Sequence, residues 1–244
     1  MEQHTKGIVF QTIKYKDNQI IARIFTKSLG LKAFLVRTSK KGKSSTAAQL
    51  QPLTILELNV KTKENASLAT FSNARIAIPF SDIPFNPIKS AIVLFLNEVL
   101  YKTVADDYQN DELFDFIENA LQLLDHSSQV RNFHLWFLSQ LTRYYGFSPI
   151  EENTNFDLEF FDFVTGQFTS LRPGHKNYIE GHYKILWSQM LTTTFDQMDE
   201  LKISGAERKG LLEYLLHYIK LHLENVREFK SLDVLHEVFT SETR

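Results

Sequence analysis

Three prolines between Pro79 and Pro87 mark the point where the spacing of apolar residues changes from two to helical. Proline cannot donate to a strand ladder, and it holds its predecessor in extended backbone. Neither a sheet nor a helix is expected to run through this stretch. The chain must therefore join a β-rich part to an α-rich part. The reading is an α+β, multidomain fold: a barrel domain over 1–80, a proline-rich linker over 81–87 and a helical domain over 88–244.

From Lys6 to Ala77 the apolar residues fall in short, β-branched runs with a period near two. Gly7–Ile13, Gln19–Phe25, Leu31–Val36, Leu53–Val60 and Leu68–Ile78 read as five strands. Asp17-Asn18 and Gly30 supply tight turns. Five short strands in about 75 residues suit a small closed or half-open barrel, an OB-fold first and an SH3-like barrel second. After the prolines, Pro87–Val104 is apolar on nearly all sides, as buried central helices are. Further helices are expected over Asp111–Leu124, Val130–Tyr145, Asn177–Met190, Glu207–Leu223 and Ser231–Phe239. Phe156–Leu171 interrupts them as a β-hairpin around Gly166, within an insertion at about 156–175.

Charge divides the chain at the same place. Up to Phe80 there are thirteen basic residues against four acidic ones, a net +9, whereas the remainder carries −11. A small domain of +9 attracts a polyanion, nucleic acid first. A solvated basic surface, or one docked on the acidic half, gives the same composition. The chain has no cysteine, which excludes a disulfide framework, a thiol nucleophile and a cysteine-bound metal. A reducing, cytoplasmic location fits. No signal-peptide pattern opens the chain, and the longest apolar run, Ala91–Leu96, is too short to span a bilayer.

Catalytic patterns are missing. The sequence holds no GxxxxGK[ST], GxGxxG, HExxH or GxSxG. The acidic residues lie at helix starts and on polar faces. His175 and His182 are seven apart and His217 and His222 five apart, neither a good ligand pair. No metal site and no cofactor are expected.

The sharpest cluster is Arg37-Thr38-Ser39-Lys40-Lys41-Gly42-Lys43-Ser44, four cations within seven residues between two strands. Small residues let backbone N–H groups approach phosphates, and lysines release counterions without reading bases. Lys14 and Lys16 flank the first turn, and Arg23, Lys27 and Lys32 extend the basic surface. Of the aromatic residues in this part, Phe10, Phe25, Phe34 and Phe71 suit a barrel core, while Tyr15 is the exposed one able to stack on a base. Six phosphate contacts would make log K fall with log salt at a slope of about −4 on a single strand.

These residues carry a resemblance. Gly7-Ile8-Val9, Tyr15, Phe25-Thr26-Lys27 with Gly30, the basic loop ending at Ser44 and Leu50-Gln51-Pro52-Leu53 resemble the N-terminal domain of the RecO family. Tyr144-Tyr145-Gly146 with Pro149, Phe161-Asp162 to Gly166, and Tyr214-Leu215 to Lys230-Ser231-Leu232 continue it more weakly. The resemblance implies an OB domain followed by a helical domain, without catalytic turnover. It implies a DNA repair and recombination mediator that binds single- and double-stranded DNA and anneals complementary strands. With RecR, such a protein helps load RecA onto single strands coated by the single-stranded-DNA-binding protein, SSB. Many members carry a four-cysteine zinc site near the segment matching Phe156–His175. This chain has none, so its hairpin is expected to be held by Phe156, Phe160, Phe161, Phe163 and Phe168.

On this reading the DNA-binding residues are Lys14, Lys16, Arg23, Lys27, Lys32, Arg37, Lys40, Lys41, Lys43 and Ser44. An acidic SSB tail with an apolar end wants an apolar groove rimmed by cations, for which Arg131, Arg143, Lys184 and Arg208 are candidates. Asp82-Ile83-Pro84-Phe85 itself resembles the end of such a tail, but reads more simply as linker. The rival from another class is a protein–protein adaptor whose OB-like domain binds no DNA. A magnesium-dependent nuclease is a third, lacking any carboxylate constellation.

Overall fold

The structure is a computed structural model that describes residues 2–37, 49–61, 68–128, 130–150, 154–223, 226 and 228–241. It falls into two compact units, Met1–His126 and Ser127–Arg244.

The first unit opens with β1 (Glu2–Lys16), β2 (Gln19–Thr26), β3 (Gly30–Arg37), β4 (Ile55–Lys61) and β5 (Thr70–Ile76). They form one antiparallel sheet in the order β3-β2-β1-β4-β5. Parallel contact between β3 and the chain entering β5 closes it: Leu35 N–H donates to the Ala69 carbonyl at 2.9 Å, and Ala69 N–H to that of Ala33 at 2.9 Å. This closure makes the sheet the five-stranded OB barrel expected from the pattern. Inside lie Val9, Ala22, Ile24, Phe34, Val36, Leu56, Leu58 and Val60. Gly7 faces inward because a Cβ there would meet Ile24 Cγ2 at 2.6 Å.

Strict alternation fails at Ile8, Val9 and Phe10, three consecutive buried residues of β1. The cause is a bulge between Val9 and Gln11 and burial on both faces of the strand. Val9 points into the barrel. Phe10 stacks on Phe25 outside it, and Phe25 meets Phe114 at 5.9 Å. Phe114 belongs to α2 (Asp111–His126), which follows α1 (Pro87–Thr103). Asn97 of α1 donates to the Phe10 carbonyl that the bulge releases, at 2.9 Å. Both helices are therefore part of the first unit.

The proline-rich stretch is consequently no loose tether. Asn86 caps α1 by accepting from Ile88 and Lys89 N–H, with Pro87 at the first helical position. Ile83 is buried. The Asp125 carboxylate accepts from the backbone N–H groups of Ser81, Asp82 and Ile83, at 2.8, 2.9 and 2.8 Å, and from Ser81 Oγ. Buried Lys89 donates to the Asp125 carbonyl and pairs with Asp82, both at 2.7 Å. The chain has its sequence break at 81–87 and its structural break at 126–127.

The second unit packs α3 (Phe133–Tyr144), α4 (Gly181–Thr192), α5 (Gly205–His222) and α6 (Ser231–Ser241). Its non-helical part is larger than a hairpin. β6 (Phe160–Asp162) lies between β7 (Gln167–Thr169) and β8 (Tyr178–Glu180). Asn177–Glu180, expected as the start of a helix, pairs with β6 instead, and the helix begins at Gly181 with φ +61°. Rings hold this sheet to the helices. Phe161 contacts Phe168 at 4.7 Å, Trp187 at 5.3 Å and Tyr218 at 5.5 Å, and Phe163 contacts Trp187 at 5.3 Å.

Candidate nucleic-acid interface

The cations expected to touch nucleic acid divide into two groups on the barrel. One group sits at the hairpin end. β1 and β2 run on together past Ile8, where the β1–β4 ladder stops. The register places Lys16 opposite Gln19, and Gln19 opposite Arg37. Lys16, Gln19 and Arg37 thus form one row across three strands, spanning about 10 Å. Lys14 lies one pair further in, opposite Ile20. Tyr15 is 52% exposed, with Lys16 Nζ at 5.4 Å from its ring centroid. Among the described residues, no acidic side chain pairs with Lys14, Lys16 or Arg37. Lys40, Lys41, Lys43 and Ser44 lie outside the described residues.

A cleft adjoins this row. Past the Phe34–Ala69 closure, β3 and β5 leave a cavity of about 410 Å³, lined by Leu35, Arg37, Thr70, Phe71, Ser72 and Asn73. Phe71 lies against Phe34, ring centroids 5.5 Å apart. The cleft thus offers a cation, an aromatic ring and small polar groups, the combination that holds an unpaired base and its phosphate. Phe71 suits a barrel core from its sequence, and it does pack on the core while also lining this opening. Gln19, Ser72 and Asn73 carry no charge, so nothing in the sequence marked them.

The other group is occupied. Arg23 pairs with Asp106, and its guanidinium lies 5.0 Å from the Tyr101 ring centroid. Lys32 pairs with Asp107. Lys27 Nζ reaches both Asp115 oxygens, at 2.6 and 2.8 Å, and the Asp115 bond raises its pKa. Lys6 Nζ meets Glu118 at 2.5 Å. All four acids come from α2 or the loop before it. Residues 81–126 carry nine acidic and two basic side chains, so the acidic half begins inside the first unit.

The second unit offers a different site. A cavity of about 430 Å³ is lined by Arg131, Ile203, Arg208, Lys209, Leu212 and Phe239, among others. Arg208 donates to Asn132 Oδ1 at 3.1 Å and to the Ile203 carbonyl at 3.0 Å, which fixes its guanidinium. Burial lowers its pKa, and Arg131 lowers it further. His134 also lines the cavity; burial pushes its pKa down to about 3, so the ring is neutral near pH 7. Of the four rim candidates, Arg131 and Arg208 line this cavity. Lys184 is buried and donates to the Phe156 carbonyl at 2.5 Å, while Arg143 sits on exposed α3 surface beside Gln140. Lys209, which the sequence did not single out, completes the rim.

Asp82-Ile83-Pro84-Phe85 is folded as a turn, with Phe85 N–H donating to the Asp82 carbonyl at 2.9 Å. Phe85 is 83% exposed, while Asp82 is held by Lys89.

Comparison with known proteins decides the family. Residues 1–80 match the family described as Recombination protein O N terminal, and residues 84–233 match Recombination protein O C terminal. The chain belongs to the RecO family. The DNA repair protein RecO of Flavobacterium psychrophilum is 37% identical over 243 residues, covering 98% of this chain and 100% of that protein. RecO of Bacteroides fragilis is 34% identical over 242 residues, with coverages of 98% and 100%. RecO of Porphyromonas gingivalis is 30% identical over 247 residues, with coverages of 96% and 98%. The two RecO matches part at 80–84, the break expected from the prolines, although packing carries the first unit on to His126. Among the described residues, no helix is long and apolar enough to cross a membrane, and no three His, Asp or Glu side chains gather as a metal site.

Proposed function

We propose that this chain is a non-enzymatic DNA repair mediator that binds single- and double-stranded DNA and anneals complementary strands in the cytoplasm. The observation that carries the reading is the row Lys16–Gln19–Arg37 beside the open β3–β5 cleft, with cations that no described acid neutralises. Two complementary strands repel through their phosphates. A cationic surface that touches only backbones lowers that repulsion and leaves base edges free to pair. Lysines that carry no base-reading geometry suit a reaction in which sequence preference would be a hindrance. The 38–48 segment departs from Arg37, so Lys40, Lys41 and Lys43 extend the same charge along the chain.

The second-unit cavity supports the partner side of the proposal. Arg131, Arg208 and Lys209 around Ile203, Leu212 and Phe239 suit an acidic peptide with an apolar end, which is the chemistry of the SSB tail. The chain would then bring DNA and SSB together and, with RecR, favour RecA loading.

The test is fluorescence anisotropy of a labelled, unstructured single strand, titrated with the full chain at several salt concentrations. Binding with a log–log salt slope of about −4 is expected, followed by accelerated annealing of complementary oligonucleotides. Absence of binding at low salt would overturn the DNA role and leave the adaptor reading.

A further inference from the structure

The four ion pairs on the barrel align a strip of carboxylates with a strip of cations. Asp106 and Asp107 precede α2, and Asp115 and Glu118 lie on it, one helical turn apart. Opposite them stand Arg23, Lys32, Lys27 and Lys6 in turn. Four anions thus face four cations of the barrel, the charge that a phosphate backbone would set against them. The two ends of the strip differ in burial. Glu118 is buried on α2, whereas Asp106 and Asp107 are about three-quarters exposed. Exposed ion pairs add little to the stability of a fold. The loop carboxylates therefore occupy their cations without being needed to hold the fold together.

We infer that the strip Asp106, Asp107, Asp115 and Glu118 stands in for DNA phosphates on the Arg23–Lys27–Lys32 face of the barrel. It confines bound DNA to the row around Lys14, Lys16 and Arg37. This inference rests on the DNA-binding reading above. Its consequence is that only part of the basic charge of residues 1–80 is open to a polyanion. Arg23, Lys27 and Lys32, which sequence alone ranks with the other cations, are withheld by acids from about 75 to 90 residues further along the chain. The affinity and the salt dependence are both set lower than the barrel could reach.

The experiment compares the full-length chain with D106N/D107N, a near-isosteric pair of changes at exposed positions. The control is D157N/E159Q, which removes the same charge from exposed positions in the second unit. Each binds a labelled oligo-dT at several salt concentrations. The loop variant is expected to bind about three- to tenfold tighter than the control variant, with a slope steeper by about 1 to 2. Adding R23Q/K32Q to the loop variant is expected to remove that gain. Equal affinity and slope in the loop and control variants, with the unaltered chain binding DNA, overturns the inference and leaves the DNA role standing. Binding by none of the proteins overturns both. Binding by the loop variant alone overturns the confinement of DNA to the Lys14, Lys16 and Arg37 row, because that row would then hold none in the unaltered chain.

Discussion

The knot at Asp125 gives the most quantitative prediction. Asp125 is buried, and its carboxylate accepts four hydrogen bonds from residues 81–83, at 2.8 to 3.0 Å. Burial alone would raise its pKa. The bonds from Ile83, Ser81 and Asp82 outweigh that and hold it at about 2, against an ordinary 3.8. The free carboxyl of the unfolded chain binds its proton more tightly than the folded one. Stability from this group is therefore complete above about pH 5 and is lost as pH falls through 2. At about 1.4 kcal/mol for each pH unit, the difference amounts to about 2 kcal/mol near neutral pH. Asp125→Asn removes the charge and turns one acceptor oxygen into an N–H₂ facing backbone donors. We expect it to destabilise the first unit by about 2–3 kcal/mol at pH 7. The gap to the unaltered chain should narrow as pH falls towards 2, where about half of the folded Asp125 carboxyl is protonated. Trp136 and Trp187 both lie in the second unit, so tryptophan fluorescence does not report the knot. Urea unfolding by far-UV circular dichroism at pH 7 and pH 3, with amide exchange at Ser81, Asp82 and Ile83, does. Unchanged exchange in the variant at pH 7, or a gap that stays constant with pH, would refute the reasoning.

Other changes test other parts. Replacing Lys40, Lys41 and Lys43 together by alanine should weaken single-strand binding at least about tenfold and flatten the salt slope by about 2, with annealing slowed in parallel; unchanged anisotropy curves would remove these lysines from the interface. Phe161→Ala takes one ring from contact with Phe168, Trp187 and Tyr218, and should cost about 3–5 kcal/mol. Near-UV circular dichroism and Trp187 emission would register the loss, and an unaltered melting curve would contradict the packing described. Lys209→Glu, on the exposed rim of the second-unit cavity, should weaken binding of an acidic peptide ending in phenylalanine about tenfold, while leaving the melting temperature within about 1 °C; peptide binding that ignores the reversal would move the partner site elsewhere.

The barrel was legible because each of its strands carries its own signal. β-Branched alternation and the turns at Asp17-Asn18 and Gly30 are local, and Gly30 indeed adopts φ +69°. Departures arose where a strand has two buried faces or no length. Ile8-Val9-Phe10 breaks alternation because α1 and α2 cover the outside of the sheet, which no local pattern announces. β8 is three residues long and runs directly into α4, so its period cannot be told from a helix start. In the sequence the linker shows only its prolines. What anchors it is Asp125, more than 40 residues away, which only tertiary structure could supply. The candidate site was legible as a composition and not as a surface. Lysines in loops were visible, whereas the row Lys16–Gln19–Arg37 needed the strand register, and the pairing of Arg23 and Lys32 needed the helices.

The paired cations bear on how annealing would work. A protein that brings strands together must also release the duplex, so its grip on each strand has to be limited. Single-strand affinity scales with salt at about −0.7 for each phosphate neutralised. Withholding three cations therefore removes a factor of about 20 from the change in affinity between 50 and 200 mM salt. A barrel with all its cations open would hold DNA tightly at low salt and respond steeply to ionic strength. One with carboxylates built against part of its surface binds more weakly and more evenly. Residues 1–80 carry +9, but residues 81–126 return much of it at close range within the same compact unit. On the proposed reading, those acids tune the contact to one that can be made and broken.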